Sequence, residues 1–203
     1  LGKDFINGEP CAMILGDNIF YGNGFTKLLK QAAEDARNGR ATVFGYYVND
    51  PERFGVVDFD KNGKAISIEE KPEHPKSNYA VTGLYFYPAG VSEKAAQVKP
   101  SARGEVEITS LNDMYLQEGN LDVQLLGRGY AWLDTGTMQS LVDASNYVKM
   151  VEERQGVSIS APEEIAYIHG WIDKDKLLEA AKHYGKSPYG KHLKSVAEGK
   201  LRY

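Results

Sequence analysis

Short apolar runs alternate with glycine-rich and acidic turns along most of this chain, and the spacing within each run predicts an element. Cys11-Ala-Met-Ile-Leu15 is stopped abruptly by Gly16-Asp17-Asn18, which reads as a buried strand followed by a turn. Phe25, Leu28, Leu29, Ala32, Ala33 and Ala36 recur at helical spacing and Asn38-Gly39 follows, so a helix is expected from about Phe25 to Arg37. Ala41 to Val48 is rich in β-branched and aromatic residues and reads as a buried strand. Strand, helix and strand in that order predict a βαβ unit, hence a parallel pair.

Phe54 to Asp60 and Ala65 to Glu70 alternate around Lys61-Asn-Gly-Lys64, a hairpin pattern. Val81 to Tyr87 and Leu121 to Leu126 are further strands, and Gly127 to Asp134 continues as an irregular one. Helices are expected at Val91 to Gln97, at Ile108 to Gln117, and from Thr137 to about Arg154. The last has Leu141, Val142, Ala144, Tyr147, Val148 and Val151 on its buried side, with Thr135 or Thr137 as N-cap. The tail from Pro162 is helical and tyrosine-rich, while Leu1 to Pro10 reads as a helix end and a loop. The expected class is α/β: a mixed, mainly parallel sheet flanked by helices over residues 1–156, and a helical C-terminal extension over 157–203.

Composition narrows the function more than the fold. A formal net charge of −4 argues against an electrostatic nucleic-acid binder, so a phosphate-bearing ligand needs a few local cations and a metal. No apolar run approaches membrane-spanning length, and no signal-peptide pattern precedes the first strand. The single cysteine, Cys11, is expected to be a buried, inert thiol and fits a reducing cytoplasm.

The candidate chemistry lies in the turns. Gly16-Asp17-Asn18 and Trp132-Leu-Asp134-Thr-Gly-Thr137 each follow an apolar strand and precede a helix. Each aspartate could cap its helix. If both strand ends meet in one crevice, the two carboxylates suit Mg²⁺, which keeps much of its water and takes few protein ligands. Glu69-Glu70-Lys71-Pro72 reads either as a solvated edge or as a site in which the proline fixes Lys71 as a point charge for a sugar phosphate. Gly55, Gly83 and Gly136 are candidates for close approach of backbone to a ligand, and Trp132 is a candidate wall of the pocket. The four histidines do not form a metal-ligand spacing, and Trp171 is expected to serve packing.

Seven blocks in order carry a resemblance: Leu15 to Gly22, Asn49 to Val57, Glu69 to Pro72, Lys76 to Tyr87, Lys99 to Glu105, Gly127 to Thr137 and Glu152 to Gly156. Together they resemble the glucose-1-phosphate thymidylyltransferases, sugar nucleotidyltransferases also called dTDP-glucose pyrophosphorylases. The resemblance implies a Rossmann-like nucleotide-diphospho-sugar transferase fold and the reaction dTTP + glucose 1-phosphate → dTDP-glucose + pyrophosphate, which opens dTDP-L-rhamnose synthesis. It implies Asp17 and Asp134 as Mg²⁺ ligands, Glu70 toward sugar hydroxyls, Lys71 toward phosphate, and Gly55 and Val81 as backbone contacts. Phe54 stands where many relatives have Tyr. A cytoplasmic homotetramer and inhibition by dTDP-rhamnose at a second site are also implied, with Arg128 and Pro162 to Ile165 as places to look.

The family's glycine-rich loop, of the form G-G-x-G-T-R-L, and the following P-x-T segment are not found here; Gly22-Asn-Gly24 and Gly127-Arg-Gly129 are short turns. The expectation is therefore a fragment with the metal and sugar parts of the site, lacking most of the nucleotide part and having little or no activity alone. Missing first strands would leave a hydrophobic sheet edge or face uncovered and prone to association. Two alternatives stay open: a sugar nucleotidyltransferase using another NTP, and a non-catalytic sugar-phosphate-binding or scaffold module.

Overall fold

The computed structural model describes residues 2–101 and 103–201. Leu1 of the expected helix end, Ala102, and Arg202 and Tyr203 of the expected extension lie outside them. The chain divides into two compact units, Leu1–Gly136 and Thr137–Tyr203. The long helix after Gly136 thus groups with the C-terminal helices, whereas the sequence pattern predicts a boundary at 156. An amphipathic stripe states that a helix packs on something, not on which body it packs.

The first unit opens with a short helix α1 (Lys3–Ile6), closed by Asn7 in the left-handed region at φ 50. Strand β1 (Cys11–Ile14), strand β2 (Asn18–Gly22), helix α2 (Phe25–Arg37) and strand β3 (Ala41–Tyr47) follow. The hairpin β4 (Gly55–Phe59) and β5 (Ala65–Glu70) turns where Asp60 Oδ1 accepts from the N–H groups of Asn62 and Lys64, at 2.8 and 2.9 Å. Strand β6 (Tyr79–Tyr87), helices α3 (Val91–Ala95) and α4 (Ile108–Gln117), and strands β7 (Leu121–Leu126) and β8 (Tyr130–Asp134) complete the unit.

The six-stranded sheet runs β5-β4-β6-β3-β7, with β1 also on β6. It is mixed as expected, but not mainly parallel. Among the described residues β3·β7 is the one parallel ladder, and β1·β6, β3·β6, β4·β5 and β4·β6 are antiparallel. The crossover through α2 does leave β1 and β3 pointing the same way, since both are antiparallel to β6. They are not neighbours, because β6 inserts between them. A βαβ pattern fixes relative direction, and nothing local announces that a later strand will separate the pair.

Alternation puts adjacent residues on opposite faces of the sheet. Val43, Val57, Tyr85, Leu111 and Tyr115 belong to one core, with α4 contributing; Phe44, Leu84, Leu126 and Ala32 belong to the other, with α2. Strand β1 departs from its expected burial: Met13, Ile14 and Leu15 are exposed and Cys11 is half-buried, its thiol pKa pushed up by that burial. β6 pairs β3 along one margin and β1 along the other, so the outer margin of β1 has no strand partner among the described residues.

The second unit holds helices α5 (Met138–Gln155), α6 (Pro162–Ile168), α7 (Lys174–Tyr184) and α8 (Pro188–Ala197). Thr137 caps α5 through a reciprocal bond with Ser140, as the sequence expectation for Thr137 has it. Only Ala144 and Val151 of the α5 stripe are buried, and Leu141 and Val142 are exposed. Leu177, Ala181, Leu193 and Val196 form a separate small core. Trp171 is 73% exposed and stacks on His169 rather than filling that core.

Candidate active site

Strands β2 and β8 form an antiparallel ribbon whose register sets Asn18 opposite Asp134. The turn before β2 and the turn after β8 are thereby brought together. Thr135 ties them, its N–H and its Oγ1 both donating to the carbonyl of Asp17 at 2.9 Å. The backbone N–H of Gly136 donates to Asp134 Oδ1 at 3.3 Å.

A β-carbon placed on Gly136 would lie 3.3 Å from Asp134 Oδ1 and 3.8 Å from Asp17 Oδ2. The missing side chain thus leaves a small space onto which two carboxylates converge. A divalent cation fits this donor set: hard oxygens, few protein ligands, and remaining positions open to water and phosphate. No cluster of three or more His, Cys, Asp or Glu ligands occurs among the described residues.

The second part of the site is built on the β4–β5 hairpin, where Gly55 pairs with Glu70. Strand alternation separates the two glutamates. Glu69 meets Lys76 Nζ at 2.6 Å on an exposed edge. Glu70 is turned toward Gly55, and its Oε2 accepts from Thr109 Oγ1. A β-carbon on Gly55 would stand 2.9 Å from Thr109 Oγ1 and 3.3 Å from Glu70 Oε2, so glycine is what lets the strand pass so close. Arg103 Nη1 lies 3.9 Å from Glu70 Oε1.

Lys71 follows with φ 43, and its N–H donates to the carbonyl of Phe54 at 2.9 Å. That left-handed backbone is uncommon for a residue with a side chain and costs on the order of 1 kcal/mol. The side chain is exposed and has no ion-pair partner among the described residues, so its ammonium is available to an anion.

Trp132 joins the two parts. It is buried, its ring meets Phe54 edge-on at 5.1 Å and Tyr46 at 5.9 Å, and its Nε1–H donates to Asn18 Oδ1 at 2.6 Å. Val81 sits on β6 with its side chain in the core, which leaves only its main chain to meet a ligand. Gly83 departs from its expected role: a β-carbon there would lie 2.6 Å from Asn18 Oδ1, so the space serves a side chain of this protein, not a ligand.

The two aspartates, Glu70, Lys71 and Gly55 are candidates that the sequence offers; Asn18, Thr109 and Arg103, which touch them, are not among those candidates. Nothing local marks Thr109 or Arg103, which reach Glu70 only through the fold. Asn18 does carry a signal, since it stands beside Asp17 in the Gly-Asp turn.

The nucleotidyl transferase family model matches residues 1–150. A glucose-1-phosphate thymidylyltransferase of Xanthomonas campestris pv. campestris is 56% identical over 98% of this chain, and the chain spans 66% of that relative's length. The relative so named in Neisseria gonorrhoeae is 57% identical over 95% of the chain and 66% of its own length. The one in Mycobacterium tuberculosis is 49% identical over 98% of the chain and 68% of its own length. Among solved structures, a Bacillus anthracis protein named as a glucose-1-phosphate thymidylyltransferase, solved with sucrose, superposes with TM-score 0.61 at 40% identity. That match covers 72% of this chain and 57% of the other. A UDP-glucose pyrophosphorylase shares the fold at TM-score 0.60 and 23% identity, over 73% of this chain and 59% of its own.

Proposed function

This chain belongs to the nucleotidyl transferase family, and from that premise we propose that it carries the metal and sugar-phosphate portions of a glucose-1-phosphate thymidylyltransferase site. The reaction is dTTP + glucose 1-phosphate → dTDP-glucose + pyrophosphate. The observation that carries this reading is the convergence of Asp17 and Asp134 on the space at Gly136.

Asp17 and Asp134 would hold Mg²⁺, which when bound offsets the negative charge of the phosphates. Lys71 supplies a compact positive charge for the phosphate of the sugar. Glu70, fixed by Thr109, keeps lone pairs for sugar hydroxyls. Gly55 and Val81 offer main-chain groups, and Trp132 with Phe54 gives an apolar wall.

A phosphate oxygen of glucose 1-phosphate attacks the α-phosphorus of dTTP in line, and pyrophosphate leaves with its electron pair. No protein nucleophile is needed. The residues act by position and charge, holding two anions together that would otherwise repel. The relatives are longer than this chain, and we assign the triphosphate grip to sequence of that additional length. The finer family traits belong to the same proposal: supply of dTDP-L-rhamnose synthesis, a cytoplasmic tetramer, and feedback by dTDP-rhamnose with Arg128 as the residue to test.

Pyrophosphate release with dTTP, glucose 1-phosphate and Mg²⁺ tests the reading, on the 203-residue chain and on a chain extended to the relatives' length. Release is expected from the extended chain, and Asp17→Ala should lower it by about a hundredfold or more. Release that Asp17→Ala leaves intact overturns the metal assignment. Silence from both chains overturns the catalytic reading.

A further inference from the structure

Asn18 touches both parts of the site. Its Oδ1 accepts from the backbone N–H of Gly83 at 3.0 Å and from Trp132 Nε1–H at 2.6 Å. Its Nδ2 donates to Asp17 Oδ1 at 2.9 Å. The partners fix the orientation of the amide. A backbone N–H and an indole N–H can only donate, so oxygen must face them and nitrogen is left for the carboxylate.

Three consequences follow from this geometry. Asn18 engages one oxygen of Asp17 and leaves the other, Oδ2, turned toward Gly136 and Asp134. It anchors that arrangement to the central strand through Gly83, whose missing side chain makes the approach possible. It also holds the indole of Trp132, whose ring lies on Phe54, and the carbonyl of Phe54 in turn holds the N–H of Lys71. A hydrogen-bonded path thus runs from the carboxylate pair to the Trp132 indole.

We propose that Asn18 is a positioning residue that couples cation occupancy at Asp17 and Asp134 to the setting of the Trp132 indole on the sugar side. A cation at the carboxylates draws charge from Asp17 Oδ1 and weakens its bond from Nδ2. The amide then repolarises, and the indole N–H that bonds Oδ1 senses the change. In the other direction, an Asn18 locked by Trp132 and Gly83 keeps Asp17 in its ligating rotamer, the kind of outer support whose loss costs ten- to a hundredfold in metal affinity. The naming of the indole's side as a sugar pocket rests on the proposed function; the coupling itself does not need substrate to be tested.

The test reads the ¹⁵N–¹H indole resonances of the 203-residue chain during a Mg²⁺ titration, with calorimetry alongside. The chain has two tryptophans, so Trp171→Phe assigns the Trp132 signal. In the wild-type chain Mg²⁺ should move the Trp132 resonance along a saturable curve, and Asp17→Ala should abolish the movement. Asn18→Ala should displace the resonance in the metal-free chain, remove its response, and weaken Mg²⁺ binding about tenfold. Asn18→Asp keeps an acceptor for both N–H groups but loses the donor to Asp17. The new carboxylate should displace the resonance in the metal-free chain, since a charged acceptor binds the indole N–H more strongly, and the wild-type response to Mg²⁺ should be lost with the donor; it serves if Asn18→Ala does not fold. Mg²⁺ binding without movement of the Trp132 signal in the wild-type chain overturns the coupling alone, as does a full response in either Asn18 variant. Absence of Mg²⁺ binding to the wild-type chain overturns the metal assignment, and the coupling with it.

Discussion

At Gly136 it is a missing side chain that matters. Alanine there would place its methyl 3.3 Å from Asp134 Oδ1 and 3.8 Å from Asp17 Oδ2, inside the space the two carboxylates face. The nearest atoms are side-chain ends at an exposed turn, so the fold can yield while the cation position cannot. Gly136→Ala should therefore weaken Mg²⁺ binding by about tenfold and leave the thermal midpoint nearly unchanged. Calorimetric titration beside a melting curve checks this; unchanged Mg²⁺ affinity would mean that the cation does not use that space. Residues of this kind were legible because acids in Gly-Asp turns announce themselves. The supports were not, because Thr109 reaches Glu70 across 39 positions of sequence, and only the fold brings them together.

Among the elements, those with a strong period of their own were read correctly: α2 and α4 stand where their spacing put them, as does β7. Strand β2 was not foreseen. Asn18–Gly22 is short and half-polar, and it is a strand because β8 pairs with it. The α5 stripe is less buried than its period predicts, since periodicity cannot distinguish a buried face from an exposed one. Helices α6 and α8 are joined by a contact the sequence did not mark. Glu164 Oε2 lies 2.6 Å from the half-buried His192 Nε2, Glu164 itself is buried, and its Oε1 has no hydrogen-bond partner among the described residues. Removing the imidazole strips the remaining partner from a buried carboxyl. His192→Ala should destabilise the second unit by about 2–3 kcal/mol, more than its lost contacts alone. Urea unfolding followed by Trp171 emission in a Trp132→Phe background measures it, and a change under about 1 kcal/mol would show that water satisfies the carboxyl. The sheet core carries a different sensitivity. Burial pushes the Tyr85 hydroxyl up to about 12, and that of Tyr87 in the same direction. A tyrosine held neutral in the fold but ionising near 10 when unfolded stabilises fully below pH 10, and the contribution is lost as pH rises toward 12. The urea midpoint of the first unit should be flat to about pH 10 and fall above it; a midpoint that stays level to pH 11.5 contradicts the assignment.

For the molecule as a whole, the open margin of β1 governs behaviour in solution. Among the described residues that margin has no strand partner, and Met13, Ile14 and Leu15 stand exposed beside it, Ile14 at 59%. An uncharged apolar edge is a template for another strand. The 203-residue chain should therefore self-associate as its concentration rises, which sedimentation velocity would record as a shift to faster species. Ile14→Lys should hold it monomeric without loss of structure, because a charge at an exposed edge opposes pairing and the side chain contributes little to the core. The exposed stripe of α5 is the competing contact, and Val142→Lys separates the two. If Val142→Lys alone restores the monomer, copies meet through the helix. If the wild-type chain stays monomeric at every concentration, the β1 margin is protected and the argument from its exposure fails. Association through β1 would also bear on activity. A second copy paired there competes with any further strand that the longer relatives place on the same margin, so Ile14→Lys separates a chain that is silent from association from one that is silent because its nucleotide grip lies elsewhere.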